Sequence, residues 1–123
     1  MTRKYRHLGV RLRLVLGPDI AIGPGKVDLL EQVKETGSIA EAGRTLGMSY
    51  KRAWQLIGTM NDAFKEPVVV TSRGGANKGG ATLTEFGEEL LERYRRLQGE
   101  TERVAESTLE DLKRALANGK HGN

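Results

Sequence analysis

Two short helices joined by a tight turn are written into residues 36–61, TGSIAEAGRTLGMSYKRAWQLIGTMN, and nothing else in the sequence restricts the fold as much. Ser38, Ile39, Ala40 and Glu41 spell a capping box. The Ser38 hydroxyl accepts from the Glu41 backbone N–H, and the Glu41 side chain reaches back to the Ser38 N–H. A helix therefore starts at Ser38, with Ile39, Ala42 and Leu46 on one face and Gly43 small enough for a second helix to cross close by. Gly47 ends it, and Met48 comes next as an apolar plug in the turn. Ser49 is a second N-cap, before a run in which Ala53, Ile57 and Met60 share a face. This is the pattern of a helix-turn-helix.

The opposite face of the second helix is polar. Ser49, Tyr50, Lys51, Arg52 and Gln55 crowd its first turn and a half, where this motif meets base edges in the major groove of DNA. Arg and Lys match guanine, and Gln matches adenine. Ser38, at the first cap, joins them as an expected DNA contact. On the bland alternative the two helices belong to an ordinary all-α protein, and Lys51 and Arg52 are a solvated face. Trp54 lies one turn after Tyr50 and beside Ala53, and the bulk of its indole favours a core anchor over a ring presented to DNA.

Downstream, Glu66-Pro67 breaks the chain. Residues 68–71 are β-rich, and 81–84 supply a hairpin partner. Between them Ser72-Arg73-Gly74-Gly75-Ala76-Asn77-Lys78-Gly79-Gly80 is glycine-rich and basic, as suits a wing whose Arg73 and Lys78 follow the DNA backbone or enter the minor groove. Thr84 caps the last helix. Its apolar and threonine positions Phe86, Leu90, Tyr94, Leu97, Thr101, Val104, Thr108 and Leu112 are spaced three or four apart, close to a coiled-coil seam. A second row runs through Leu91, Ala105, Leu109 and Leu116. That is more apolar surface than one small domain covers, so Leu90, Tyr94, Leu97, Val104 and Leu112 are expected at a homodimer interface. Ser107 to Glu110 repeats the capping-box pattern, which allows a break into two helices there.

The runs GSIAEAGRTLGMSYKRAW and GGANKGGATLTEFGEELL together resemble the N-terminal DNA-binding domain of ModE-type molybdate-responsive transcriptional regulators, over about residues 12–117. Residues 38–61 also resemble the helix-turn-helix of LysR-type regulators. The resemblance implies a winged helix-turn-helix that regulates transcription. Full-length members carry C-terminal molybdate-binding domains, whereas this chain stops after one further helix. It is therefore expected to lack them, and sensing of a small-molecule or oxyanion effector is not expected.

Before that segment, Leu12, Leu14 and Leu16 alternate with Arg11, Arg13 and Val15, as in a half-buried strand, and Gly17-Pro18-Asp19 turns the chain toward a return strand at Ile20 and Ile22. Gly23-Pro24-Gly25-Lys26 is not a phosphate loop, because Ile20 and Val27 stand where Gly and Ser or Thr are required. It leads into a helix over residues 26–36, striped by Val27, Leu30 and Val33 and stopped by Gly37.

Charge is divided along the chain. Residues 1–83 carry a formal +6 and residues 84–117 carry −3, so the basic excess lies with the helix-turn-helix, as a phosphate-contacting surface needs. The 123 residues suffice for one domain. Cysteine is absent and the two histidines, His7 and His121, lie near the ends, which leaves no thiol chemistry, metal site or cofactor site to argue for. The basic start is interrupted by Arg11 and Arg13 and is a poor signal peptide, and no stretch approaches a membrane span, so a cytoplasmic protein is expected.

The fold expected is mainly α: a winged helix-turn-helix with a small β-wing and a long C-terminal dimerisation helix. Residues 1–83 form the DNA-binding part with its N-terminal strand, 84–117 the helical dimerisation segment, and 118–123 a disordered tail. The expected function is sequence-specific binding of double-stranded DNA as a homodimer. The alternative is a winged-helix protein-interaction module without specific DNA binding. No constellation of residues supports an enzyme.

Overall fold

The computed structural model describes residues 9–72 and 80–117. Arg73, Lys78 and the tail at 118–123 lie outside the described residues. The chain opens with a hairpin of β1 (Leu14–Gly17) and β2 (Ile20–Ile22), paired antiparallel with Leu14 opposite Ile22 and Val15 opposite Ala21. The register then shifts, so that Gly17 faces Ile20. One extra residue in a strand reverses the facing of the residues beyond it. Leu12 and Leu14 pack against the core, but Leu16 turns out to solvent at 55% exposure. The alternation read from the sequence therefore fails at the bulge.

Helix α1 (Pro24–Thr36) begins two residues before the expected start, because Pro24 occupies the first turn, where a fixed φ helps and a missing N–H costs nothing. Val27, Leu29, Leu30 and Val33 are fully buried. Gly37 ends the helix in the left-handed conformation at φ 72°, its N–H donating to the Val33 carbonyl. The turn motif comes next as α2 (Ile39–Thr45) and α3 (Tyr50–Ala63).

The wing is an antiparallel pair, β3 (Val69–Ser72) and β4 (Gly80–Leu83), in regular register from Val69 opposite Leu83 to Ser72 opposite Gly80. Its base is fastened from three directions. The Ala81 N–H donates to the Gly37 carbonyl at 2.9 Å. The Asn61 side chain, on α3, accepts from the Val68 and Val69 N–H groups and donates to the Val69 carbonyl. Thr84 donates its hydroxyl to the Pro67 carbonyl at 2.7 Å, and its N–H to the Val68 carbonyl.

Helix α4 (Glu85–Arg114) is capped by the same Thr84 hydroxyl, which accepts from the Gly87 N–H. Gly87 is required: a Cβ there would sit 2.2 Å from the Val68 carbonyl oxygen, which is backbone and cannot step aside. This is the physical content of the Leu-Thr-x-x-Gly run. The helix passes Ser107 unbroken, because a Ser in a helix interior costs only about 0.5 kcal/mol and nothing there forbids helical geometry.

The first third of α4 closes the core. Tyr94 is 1% exposed, and its phenol donates to the Leu12 carbonyl at 2.5 Å. Burial pushes its pKa above the ordinary value, with Arg95 pulling down and Asp28 pushing up. Arg95 bridges to Asp28 at 3.0 Å and to Glu31, both on α1. Burial works to lower its pKa, but the hydrogen bonds to Glu31 and Asp28 outweigh that and hold the guanidinium charged. Lys34 pairs with Glu88 at 2.8 Å, and that hydrogen bond raises its pKa. The seam read from the sequence therefore needs correction. Tyr94 belongs to the core of its own chain and Leu90 is partly buried against that core, whereas Leu97, Val104 and Leu112 remain exposed. Heptad spacing shows that a helix has an apolar face, but not which part of that face its own domain covers.

Candidate nucleic-acid interface

Helix α3 is set by its ends and its crossing. Ser49 accepts from the Arg52 N–H at 3.0 Å, fixing the first turn. The turn before it uses Gly47 at φ 75° and a hydrogen bond from the Met48 N–H to the Gly43 carbonyl. At Gly43 the two helices approach so closely that a Cβ would lie 3.0 Å from the Ala53 Cβ. Ala53, Ile57 and Met60 are buried beneath the crossing. The close approach at Gly43 and the buried stripe leave α3 one rotational setting.

That setting turns Tyr50, Lys51, Arg52 and Gln55 to solvent together. Among the described residues, no hydrogen bond or ion pair engages the side chains of Lys51, Arg52 or Gln55. Several cations on the other helices are answered: Arg44 by Glu41, Arg93 by Glu89, Arg96 by Glu92. Unanswered charge on an ordered helix is available to an outside anion. Ser38 stands at the α2 N-terminus. It accepts from the Glu41 N–H as expected, but the Ser38 N–H is taken by the Thr36 hydroxyl rather than by Glu41, whose carboxylate pairs with Arg44. The Ser38 oxygen is thus committed to the cap, and among the described residues its hydroxyl donates to no partner.

Two residues depart from the sequence reading. Trp54 is no core anchor: it is 40% exposed, with its ring edge-on to Tyr50 at 6.0 Å between centroids. The volume beneath α3 is already filled by the smaller side chains of Ala53, Ile57 and Met60, so the indole stays on the flank. Asn61, which no pattern in the sequence singles out, ties the end of α3 to the base of the wing and so fixes the angle between them. Among the described residues, no helix is long and apolar enough to cross a membrane.

Comparison with known proteins gives the same motif a family. Residues 25–88, from α1 through the wing to the α4 N-terminus, match the bacterial regulatory helix-turn-helix protein model of the lysR family. The molybdenum transport protein ModE of Azotobacter vinelandii is 36% identical over 102 residues, which are 81% of this chain and 38% of that protein. The transcriptional regulator ModE of Yersinia pestis is 39% identical over 85 residues, 69% of this chain and 32% of that one. The molybdenum-pterin-binding protein MopA of Rhodobacter capsulatus is 40% identical over 78 residues, 63% of this chain and 29% of that protein. The chain therefore spans about a third of the length of the curated relatives it matches. Since the family match covers the two helices, their turn and the wing, the chain belongs to the lysR family of bacterial regulatory helix-turn-helix proteins and is ModE-like in sequence.

Proposed function

We propose that this protein is a sequence-specific regulator of transcription that inserts α3 into the DNA major groove as a homodimer, acting in the cytoplasm by binding rather than by catalysis. One observation carries the reading: Lys51, Arg52 and Gln55 are held on the outer face of a capped, well-packed helix with no partner for their side chains among the described residues. Lys51 and Arg52 suit guanine O6 and N7, and Gln55 suits adenine N6 and N7. Arg73 and Lys78, placed in the wing by sequence alone, suit phosphates and would add affinity without base preference. Leu97, Val104 and Leu112, exposed by 39%, 80% and 60%, give α4 an uncovered apolar stripe for a second copy. A two-fold pair would hold two α3 helices about one DNA turn apart, roughly 34 Å.

The test is selection of preferred duplexes from a random pool, then titration of Lys51→Ala and Arg52→Ala. Each variant is expected to lose about 1–3 kcal/mol of discrimination at its own base pair while unfolding like the wild type. Retention of wild-type affinity and preference by both would refute the assignment of α3.

A further inference from the structure

Tyr50 and Trp54 stand one helical turn apart on α3, exposed by 57% and 40%. Their rings meet edge to face, with an interplanar angle of 79°. A large aromatic left in water forgoes the burial its area would give, and here it does so twice on one flank. The edge contact holds each ring in place, so the flank is a formed apolar ledge rather than two loose side chains. One further turn along the same stripe, Gly58 interrupts the helix interior with open space where a Cβ would project. The flank is thus apolar at its N-terminal end and bare beyond it, and it runs beside Lys51 and Gln55. Among the described residues no other aromatic ring meets this pair, and the core beneath α3 is complete without them.

Among the groups that line a major groove, the one that matches an apolar ledge is the 5-methyl group of thymine. We propose that the Tyr50–Trp54 pair packs against a thymine methyl, adding a thymine preference next to the base pairs read by Lys51 and Gln55. The inference rests on the reading of α3 as the recognition helix and names a part of its specificity. Trp54 supplies the greater contact, and Tyr50 holds its ring.

The test uses the duplex selected by the wild-type protein, with each thymine replaced singly by deoxyuridine, which deletes only the methyl. Wild type is expected to lose about fourfold in affinity at one thymine per half-site, the worth of one buried methyl. Trp54→Ala is expected to bind the thymine duplex more weakly and to show no further loss with uracil there, whereas Tyr50→Phe keeps the methyl dependence. Trp54 is the single tryptophan, so its fluorescence should change on binding the thymine duplex and change less with the uracil duplex. Tolerance of uracil at every position by the wild type, or an undiminished loss in Trp54→Ala, overturns the proposal while leaving α3 as the recognition helix. A Trp54→Ala variant that alters sedimentation instead places the ring at a protein contact and also overturns it. Failure of the wild type to select any sequence would remove the DNA reading itself and the inference with it.

Discussion

Helix α3 carries two basic residues and α4 six, and most of those on α4 are used differently from the pair on α3. On α4, Arg93, Arg96 and Arg114 each face a carboxylate three or four residues away, and Arg95 reaches across to Asp28 and Glu31 on α1. On α3, Lys51 and Arg52 meet no carboxylate among the described residues. Arg95 thus ties α4 to α1, and Arg93, Arg96 and Arg114 pair along their own helix. That leaves Arg103 alone among the α4 arginines without a carboxylate among the described residues, whereas both basic residues of α3 are left for something else. Net charge alone does not separate these roles. What separates them is whether a carboxylate stands within reach on the same or a facing helix.

The comparison can be broken most forcefully at the uncovered part of α4. Leu97→Glu should place like charges from two copies at one seam and cost about 3–5 kcal/mol of dimer stability. Sedimentation should then show a monomer whose affinity for a palindromic duplex falls toward that for one half-site, whereas a wild-type protein that is monomeric at micromolar concentration would defeat the idea outright. Next in size, Arg95→Ala leaves Asp28 and Glu31 without their cation. Because the guanidinium is about a third exposed, water offsets part of the loss, and about 1–2 kcal/mol of folding stability is expected to go. Chemical denaturation should show that loss while base preference stays unchanged, the reverse of Lys51→Ala.

Tyr94→Phe removes one hydrogen bond and should cost about 1 kcal/mol. Its pH signature is distinctive. The fold favours the neutral phenol, so this contribution is fully present below the ordinary value of 10.0 and is lost as pH rises through the raised value in the folded state. Alkaline unfolding of Tyr94→Phe should lack that segment. The smallest effect compares two glycines with open space around them, Gly58 on α3 and Gly99 on α4. Either changed to Ala should gain roughly 0.5–1 kcal/mol in thermal stability. Only the α3 variant is expected to alter DNA affinity, and an equal effect of both on binding would erase the distinction between the helices.

Much of the fold is legible in the sequence because its signals are local. A hydroxyl three residues before the N–H it caps is visible at Ser38, Ser49 and Thr84, and Gly37 marks a left-handed stop. The turn motif, the wing and the long helix can be read from such signals. Alternation misplaces Leu16 because a bulge depends on how two strands pair, which a period of two does not record. Periodicity sends Tyr94 to a seam because it does not say whether a face meets its own domain or another copy. Size alone sends Trp54 inward, although three smaller residues already fill the space. Asn61 gives no warning, since its three hydrogen bonds reach seven and eight residues ahead, across the break at Pro67.

Gly87 gives α4 a fulcrum. Where Val68 presses against it, a helix of 30 residues begins, about 45 Å long at 1.5 Å per residue. A side chain wedged into that contact would tilt the helix, and a tilt of only about 5° displaces its far end by roughly 4 Å over such a length. In the proposed dimer that far end meets the second copy, so a small error beside Val68 would be magnified into a wrong separation of the two α3 helices. If the proposed dimer forms, the distance between its half-sites on DNA would in this sense be calibrated by the absence of one methyl group.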